Sequence, residues 1–120
     1  MWSEENPGLN VRDWLHVMDN CRAIWFVSKK GEEGEIYNIP GENERTNMEM
    51  TKMLLADFGF GEEMIEKITH RKAHDFRYSI VGEKLRGLGF KYRHRNLEAE
   101  LKSVIKWYRE NVSWWRPLKK

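Results

Sequence analysis

Among the polar side chains that stand beside glycine and proline breaks, five could do chemistry: Arg12, Asn38, Arg71, His74 and Arg77. Arginine forks match phosphate oxygens, and each charge-assisted hydrogen bond contributes about 1.5–3 kcal/mol. Two converging arginines would suit a pyrophosphate. Each one alone also fits a surface ion pair, and spacing by itself favours the ion pair. His70 and His74 are four apart and could share a helical face as metal ligands. Arg71, Lys72 and Arg77 surround them with positive charge that opposes a divalent ion, so no metal is expected. Cys21 has no histidine within four residues of it and sits in an apolar helix, which is the setting of a buried structural thiol rather than a nucleophile. As the one cysteine of the 120 residues, it leaves no intramolecular disulfide and no Cys-based zinc site.

Two familiar constellations are missing. No Gly-rich turn stands between a strand and a helix, so the chain has no cradle for a dinucleotide or a P-loop phosphate. No tyrosine has a lysine four residues on, which removes the usual acid/base pair of short-chain dehydrogenases.

The elements that must position the candidates follow from periodicity. Val11–Val17 alternates imperfectly and is expected as a short strand. Asp19 or Asn20 should cap a helix, apolar almost all round, that stops at Lys29-Lys30-Gly31 with cations in its last turn. Glu35–Ile39 is expected as a strand closed by Pro40-Gly41. Thr46 with Glu49 is a capping box opening a helix through Met50, Met53, Leu54 and Phe58 to Gly59. A short helix over Glu62–Lys67, an irregular stretch over Ile68–Asp75, a strand over Phe76–Ile80 and one helical turn over Glu83–Gly87 come next. Asn96 caps the clearest helix, striped by Leu97, Leu101, Val104, Ile105 and Tyr108, with Trp114, Trp115 and Pro117 ending the ordered chain. The sum is α+β, or a fragment of α/β, with four helices and about three short strands.

Length points to one domain. The longest apolar run, Ala23–Val27, has five residues, far below the roughly 20 a membrane span needs. Met1-Trp2-Ser3-Glu4-Glu5 is acidic where a signal peptide is basic and then apolar, so a soluble, cytoplasmic chain is expected. The net charge of +2 hides an asymmetry: residues 1–66 hold 6 Lys/Arg against 14 Asp/Glu, and residues 67–120 hold 15 against 5. This calls for an anionic partner of the second half or for pairing of the two halves, and composition alone separates neither.

Several ordered blocks carry a resemblance. Asn10-Val11-Arg12-Asp13-Trp14-Leu15-His16-Val17 followed by Asn20-Cys21-Arg22-Ala23-Ile24 resembles the "NVRDWLYVEDHCRAI" stretch of the dTDP-glucose 4,6-dehydratases, within the extended short-chain dehydrogenase/reductase superfamily. Gly34–Ile39 with Asn43–Asn47 is similar to their "GEIYNIGGGNEKTN", and Arg71–Tyr78 to "RPGHDRRY". Leu88-Gly89-Phe90, Ile105–Tyr108 and Trp114–Leu118 match their closing helix and tail. The likeness covers about residues 8 to 118 and only the C-terminal third of such an enzyme. Lys72-Ala73, Phe76, Val81, Pro40-Gly41-Glu42 and His16 depart from the family pattern.

The resemblance implies a nucleotide-sugar-binding C-terminal domain over 1–120, with a pyrophosphate held by Arg12, Asn38, Arg71 and His74. It implies that residues 17–40 resemble elements that pack on a Rossmann half, whose NAD site and catalytic residues lie outside this chain. A truncated or split form of the enzyme, inactive alone, is therefore expected, with no cofactor and no catalytic residue of its own. The uncovered face bearing Ile24, Trp25, Phe26, Val27 and Ile36 would take a Rossmann-domain partner chain or a second copy, so a homo-oligomer is expected. The alternative is a non-catalytic protein-interaction module that keeps the fold. Nucleic acid binding through Lys84, Arg86, Lys91, Arg93 and Arg95 has least support, because structural Gly and Leu interrupt them.

Overall fold

The computed structural model describes residues 8–66 and 74–119. Strand β1 (Val11–Asp13) pairs antiparallel with β2 (Glu44–Thr46), setting Val11 opposite Thr46, Arg12 opposite Arg45 and Asp13 opposite Glu44. Like charges facing across a ladder are unfavourable. They are drawn apart here: Asp13 turns to accept the N–H groups of Gly41 and Asn43 at 2.7 and 2.8 Å, Glu44 takes Arg77, and Arg12 reaches the chain at 74–76. Polar Glu44-Arg45-Thr46 has no apolar alternation, which is why this strand is not visible in the sequence.

The strand expected over Val11–Val17 ends at Asp13, because helix α1 (Val17–Lys30) begins ahead of its expected start. His16, rather than Asp19 or Asn20, is the N-cap, its Nδ1 accepting the Met18 N–H at 3.1 Å. The end is as expected: Lys29 and Lys30 occupy the last turn, and the Gly31 N–H donates to the Val27 carbonyl at 2.8 Å. A Cβ on Gly31 would lie 2.7 Å from that carbonyl oxygen, so only glycine lets the chain turn away there.

Glu35–Ile39 forms no helix and joins no ladder among the described residues, and the expected strand over Phe76–Ile80 shrinks to one parallel bridge between Val11 and Arg77. Val11 alone serves both neighbours, donating to the Phe76 carbonyl at 2.8 Å and accepting from the Tyr78 N–H at 3.2 Å. Helix α2 (Asn47–Phe58) opens with the Thr46–Glu49 capping box and closes on Gly59 in the left-handed region. In place of a helix over 62–67 stands a 3-10 turn, Glu62–Met64, and most of the irregular stretch over 68–75 lies outside the described residues. Helix α3 (Glu83–Gly87) and helix α4 (Leu97–Glu110) match expectation, the latter with Asn96 accepting the Ala99 N–H. A further short helix, α5 (Val112–Trp115), and a 3-10 turn over Arg116–Leu118 follow. The class is α+β as expected. Five helices and a two-stranded sheet replace four helices and three strands among the described residues.

The core is small. Ala23 of α1, Leu85 of α3 and Phe90 are buried together, with Phe26, Val27, Ile39 and Tyr92 packed against them. Phe90 stands edge-on to Phe26 and Tyr92 at ring separations of 5.5 and 5.1 Å, the arrangement aromatic quadrupoles favour. Phe26 and Val27 thus belong with the core rather than the uncovered face. Cys21 is exposed, correcting the expectation of a buried thiol: it lies on the outer side of α1, while Ala23 faces the core.

Candidate functional site

Arg12 is the centre of the first cluster. Its Nη1 donates to the Val11 carbonyl at 2.6 Å, and its Nη2 donates to His74 Nε2 at 3.0 Å and to the Asp75 carbonyl at 3.1 Å. The guanidinium carbon lies 4.4 Å from the Tyr78 ring centroid, a cation–π distance. Arginine only donates, so His74 Nε2 accepts and the proton of the neutral ring sits on Nδ1. Buried Asn10 adds a bond from Nδ2 to the Asp75 carbonyl at 3.0 Å. Arg77 grips Glu44 with two bonds, at 2.6 and 2.8 Å, and this pairing holds the Glu44 carboxyl below its ordinary range. Residues 74–78 are therefore strapped to both strands, presenting a cation, an imidazole and an aromatic ring together.

Arg12 and His74 are thus brought into direct contact. Asn38 donates from Nδ2 to the Val81 carbonyl at 3.3 Å and ties the stretch after α1 to the chain before α3. Arg71 lies outside the described residues.

A second cluster escapes sequence reasoning. Asp19, on the first turn of α1, is buried and accepts from the backbone N–H groups of Arg93 and His94 as well as from Arg22. Burial works to raise this carboxyl. The His94 and Arg93 N–H groups and the Arg22 guanidinium outweigh it and hold it below its usual value. Beside it, His16 and His94 stack with centroids 4.5 Å apart, and both face Glu100. Contacts separated by 74 to 84 positions leave no trace in local spacing; His16 was legible only as a departure from a family pattern.

The description "NAD dependent epimerase/dehydratase family" belongs to the family model that matches residues 1–40. The dTDP-glucose 4,6-dehydratase of Streptomyces antibioticus is 43% identical over 114 residues, covering 94% of this chain and 34% of that protein. A dTDP-glucose 4,6-dehydratase structure from Bacillus anthracis, in complex with NAD, is 43% identical with a TM-score of 0.84, over 95% of this chain and 36% of the other. Another from Streptomyces venezuelae, a double mutant with NAD bound, is 43% identical with a TM-score of 0.87, over 95% of this chain and 35% of the other. Along nearly its whole length the chain is thus homologous to proteins named dTDP-glucose 4,6-dehydratase, and over residues 1–40 it matches the epimerase/dehydratase model. It spans about a third of the length of the curated relatives it matches.

The described residues do not fit NAD. A dinucleotide cradle needs glycine where a strand turns into a helix. Here β1 enters α1 through Trp14-Leu15-His16 and β2 enters α2 directly at Thr46, and neither junction holds a glycine. No helix of the described residues is long and apolar enough to cross a membrane.

Proposed function

We propose that this chain is the nucleotide-sugar-binding portion of a dTDP-glucose 4,6-dehydratase-like protein, taking the diphosphate of a dTDP-sugar on Arg12 and His74, with Arg71 and Asn38 contributing. The observation that carries the reading is the Arg12–His74 contact: two residues 62 positions apart meet beside Tyr78 on a strapped segment. Arg71, three residues before His74, would add the second cation that a pyrophosphate calls for. Calorimetric titration with a panel of dTDP- and UDP-sugars tests this. Binding of dTDP-sugars supports it, and absence of heat across the panel refutes it. The 120-residue chain by itself is expected to give no 4-keto-6-deoxy sugar from dTDP-glucose and NAD, because it has neither a cradle for the cofactor nor a tyrosine–lysine pair to relay the proton. Turnover by the purified chain would overturn that.

A second reading, a non-catalytic interaction module, is favoured by a different observation. Ile24 and Trp25 of α1 are 55% and 68% exposed, and Ile36, beyond its end, is 80% exposed. Such a face suits a protein partner, whether a Rossmann-type domain or a second copy.

A further inference from the structure

Three ligand-type side chains converge where the nucleotide reading makes no demand. His16 precedes α1, His94 lies in the loop before α4, and Glu100 lies in the first turns of α4. One donor atom from each lies within 4.8 Å of the other two, and the side chains are 11%, 30% and 23% exposed. His94 Nδ1 is buried and makes no hydrogen bond, although Glu100 Oε2 is 3.0 Å away, out of line for one. The same carboxylate oxygen is 3.7 Å from His16 Nε2. Tetrahedral zinc with bonds near 2.0–2.2 Å sets its donors roughly 3.4 Å apart, between these two separations.

We propose that His16, His94 and Glu100 form a site for a divalent transition-metal ion of the zinc type, with a fourth position open to water. Two imidazoles and one carboxylate are the donor set that zinc, cobalt and nickel accept. Asp19 adds negative charge close by, since it receives the His94 N–H at 2.7 Å. The near-parallel stacking of the two rings keeps their in-plane lone pairs from meeting at one point, so loading the site requires one ring to turn about its broad χ2 well. The tautomer sets the cost. His16 Nδ1 now accepts the Met18 N–H, and an imidazole that binds metal through Nε2 carries its proton on Nδ1, so loading the site releases this cap. One neutral hydrogen bond is exchanged for a metal bond.

The probe is cobalt, followed by its visible absorption and displaced by zinc, on the full chain. One equivalent should bind with a tetrahedral spectrum, and zinc should shift the Met18 amide resonance in the NMR spectrum. His16→Asn removes the ligand yet keeps a good helix cap. With Glu100→Gln, it should weaken binding by roughly 10–100-fold or more, the size that even outer-shell changes reach. The double variant His70→Ala/His74→Ala should bind as the parent chain does. Three results would overturn the site: no cobalt bound at all, affinity unchanged in both His16→Asn and Glu100→Gln, or affinity lost in the His70/His74 variant.

Discussion

Asp19 shows how much one side chain holds in this molecule. Its two oxygens satisfy two backbone N–H groups 74 and 75 residues away, and Arg22 closes the third side. Asp19→Ala would leave those part-buried donors without their carboxylate, at about 1–3 kcal/mol for each. A loss of about 2–4 kcal/mol in chemical denaturation is expected; a change under about 0.5 kcal/mol would mean that water replaces the carboxylate at no cost. Part of this scale was legible. Arg12 and His74 stood out because fork-shaped cations and imidazoles beside chain breaks suit phosphate. Asp19 did not, because an aspartate near a helix start reads as its cap. His16 took that role, freeing the carboxylate for a loop far along the chain.

At the scale of elements, the capping box gives a pH dependence with a definite sign. The Thr46 backbone N–H and hydroxyl both donate to Glu49 and hold its carboxyl below the ordinary 4.5. A depressed folded-state value means that the stabilising effect is complete above the unfolded pKa and fades as pH falls through the folded one. Exchange of the Thr46 and Glu49 amides should therefore accelerate as pH drops below about 4.5, after correction for intrinsic exchange, and Glu49→Gln should remove much of that dependence. Equal acceleration in both proteins would contradict it. The Thr46–Glu49 and Asn96 caps, the glycine terminators and the α4 stripe were readable because they are local. The strand pairing was not: Val11–Asp13 lies within the strand expected over Val11–Val17, but its partner Glu44–Thr46 has no apolar alternation and stands 31 to 35 residues away. The charge asymmetry of the halves also finds its cause here. Glu35 pairs with Lys84, Glu42 with both Arg86 and Arg95, and Glu44 with Arg77, each an acid of the first half on a base of the second. Three of the five basic residues named for nucleic acid are engaged in this way. Glu42 is held at a φ of 55°, where a glycine would sit without strain, and its carboxylate pairs with Arg86 and Arg95.

At the scale of the whole molecule, the Cα radius of gyration is 17.2 Å, against roughly 13–14 Å for a compact domain of this length. The apolar side chains buried below a tenth exposure are few: Ala23, Met50, Leu85, Phe90 and Ile105 among the described residues. Covering the face of Ile24, Trp25 and Ile36 would recover about 1.5–3 kcal/mol for each large side chain, and a two-fold dimer is the commonest way to do so. Sedimentation at micromolar concentration should show a dimer that Trp25→Ser shifts toward monomer. A clean monomer that binds no apolar dye would contradict this. Nothing in the periodicity of α1 distinguished its covered from its uncovered side, because Ile24-Trp25-Phe26-Val27 is apolar all round; only the position of Leu85 and Phe90 decides which half is core.

The proposed nucleotide-diphosphate site is tested most directly by titrating dTDP-glucose into isotope-labelled chain and following the backbone amides. Shifts concentrated at residues 11–13 and 74–78, saturable and abolished by Arg12→Ala in a variant that keeps its helical circular dichroism, are the expected result. An unchanged spectrum at millimolar dTDP-glucose, or the same shifts in the Arg12→Ala variant, would contradict it.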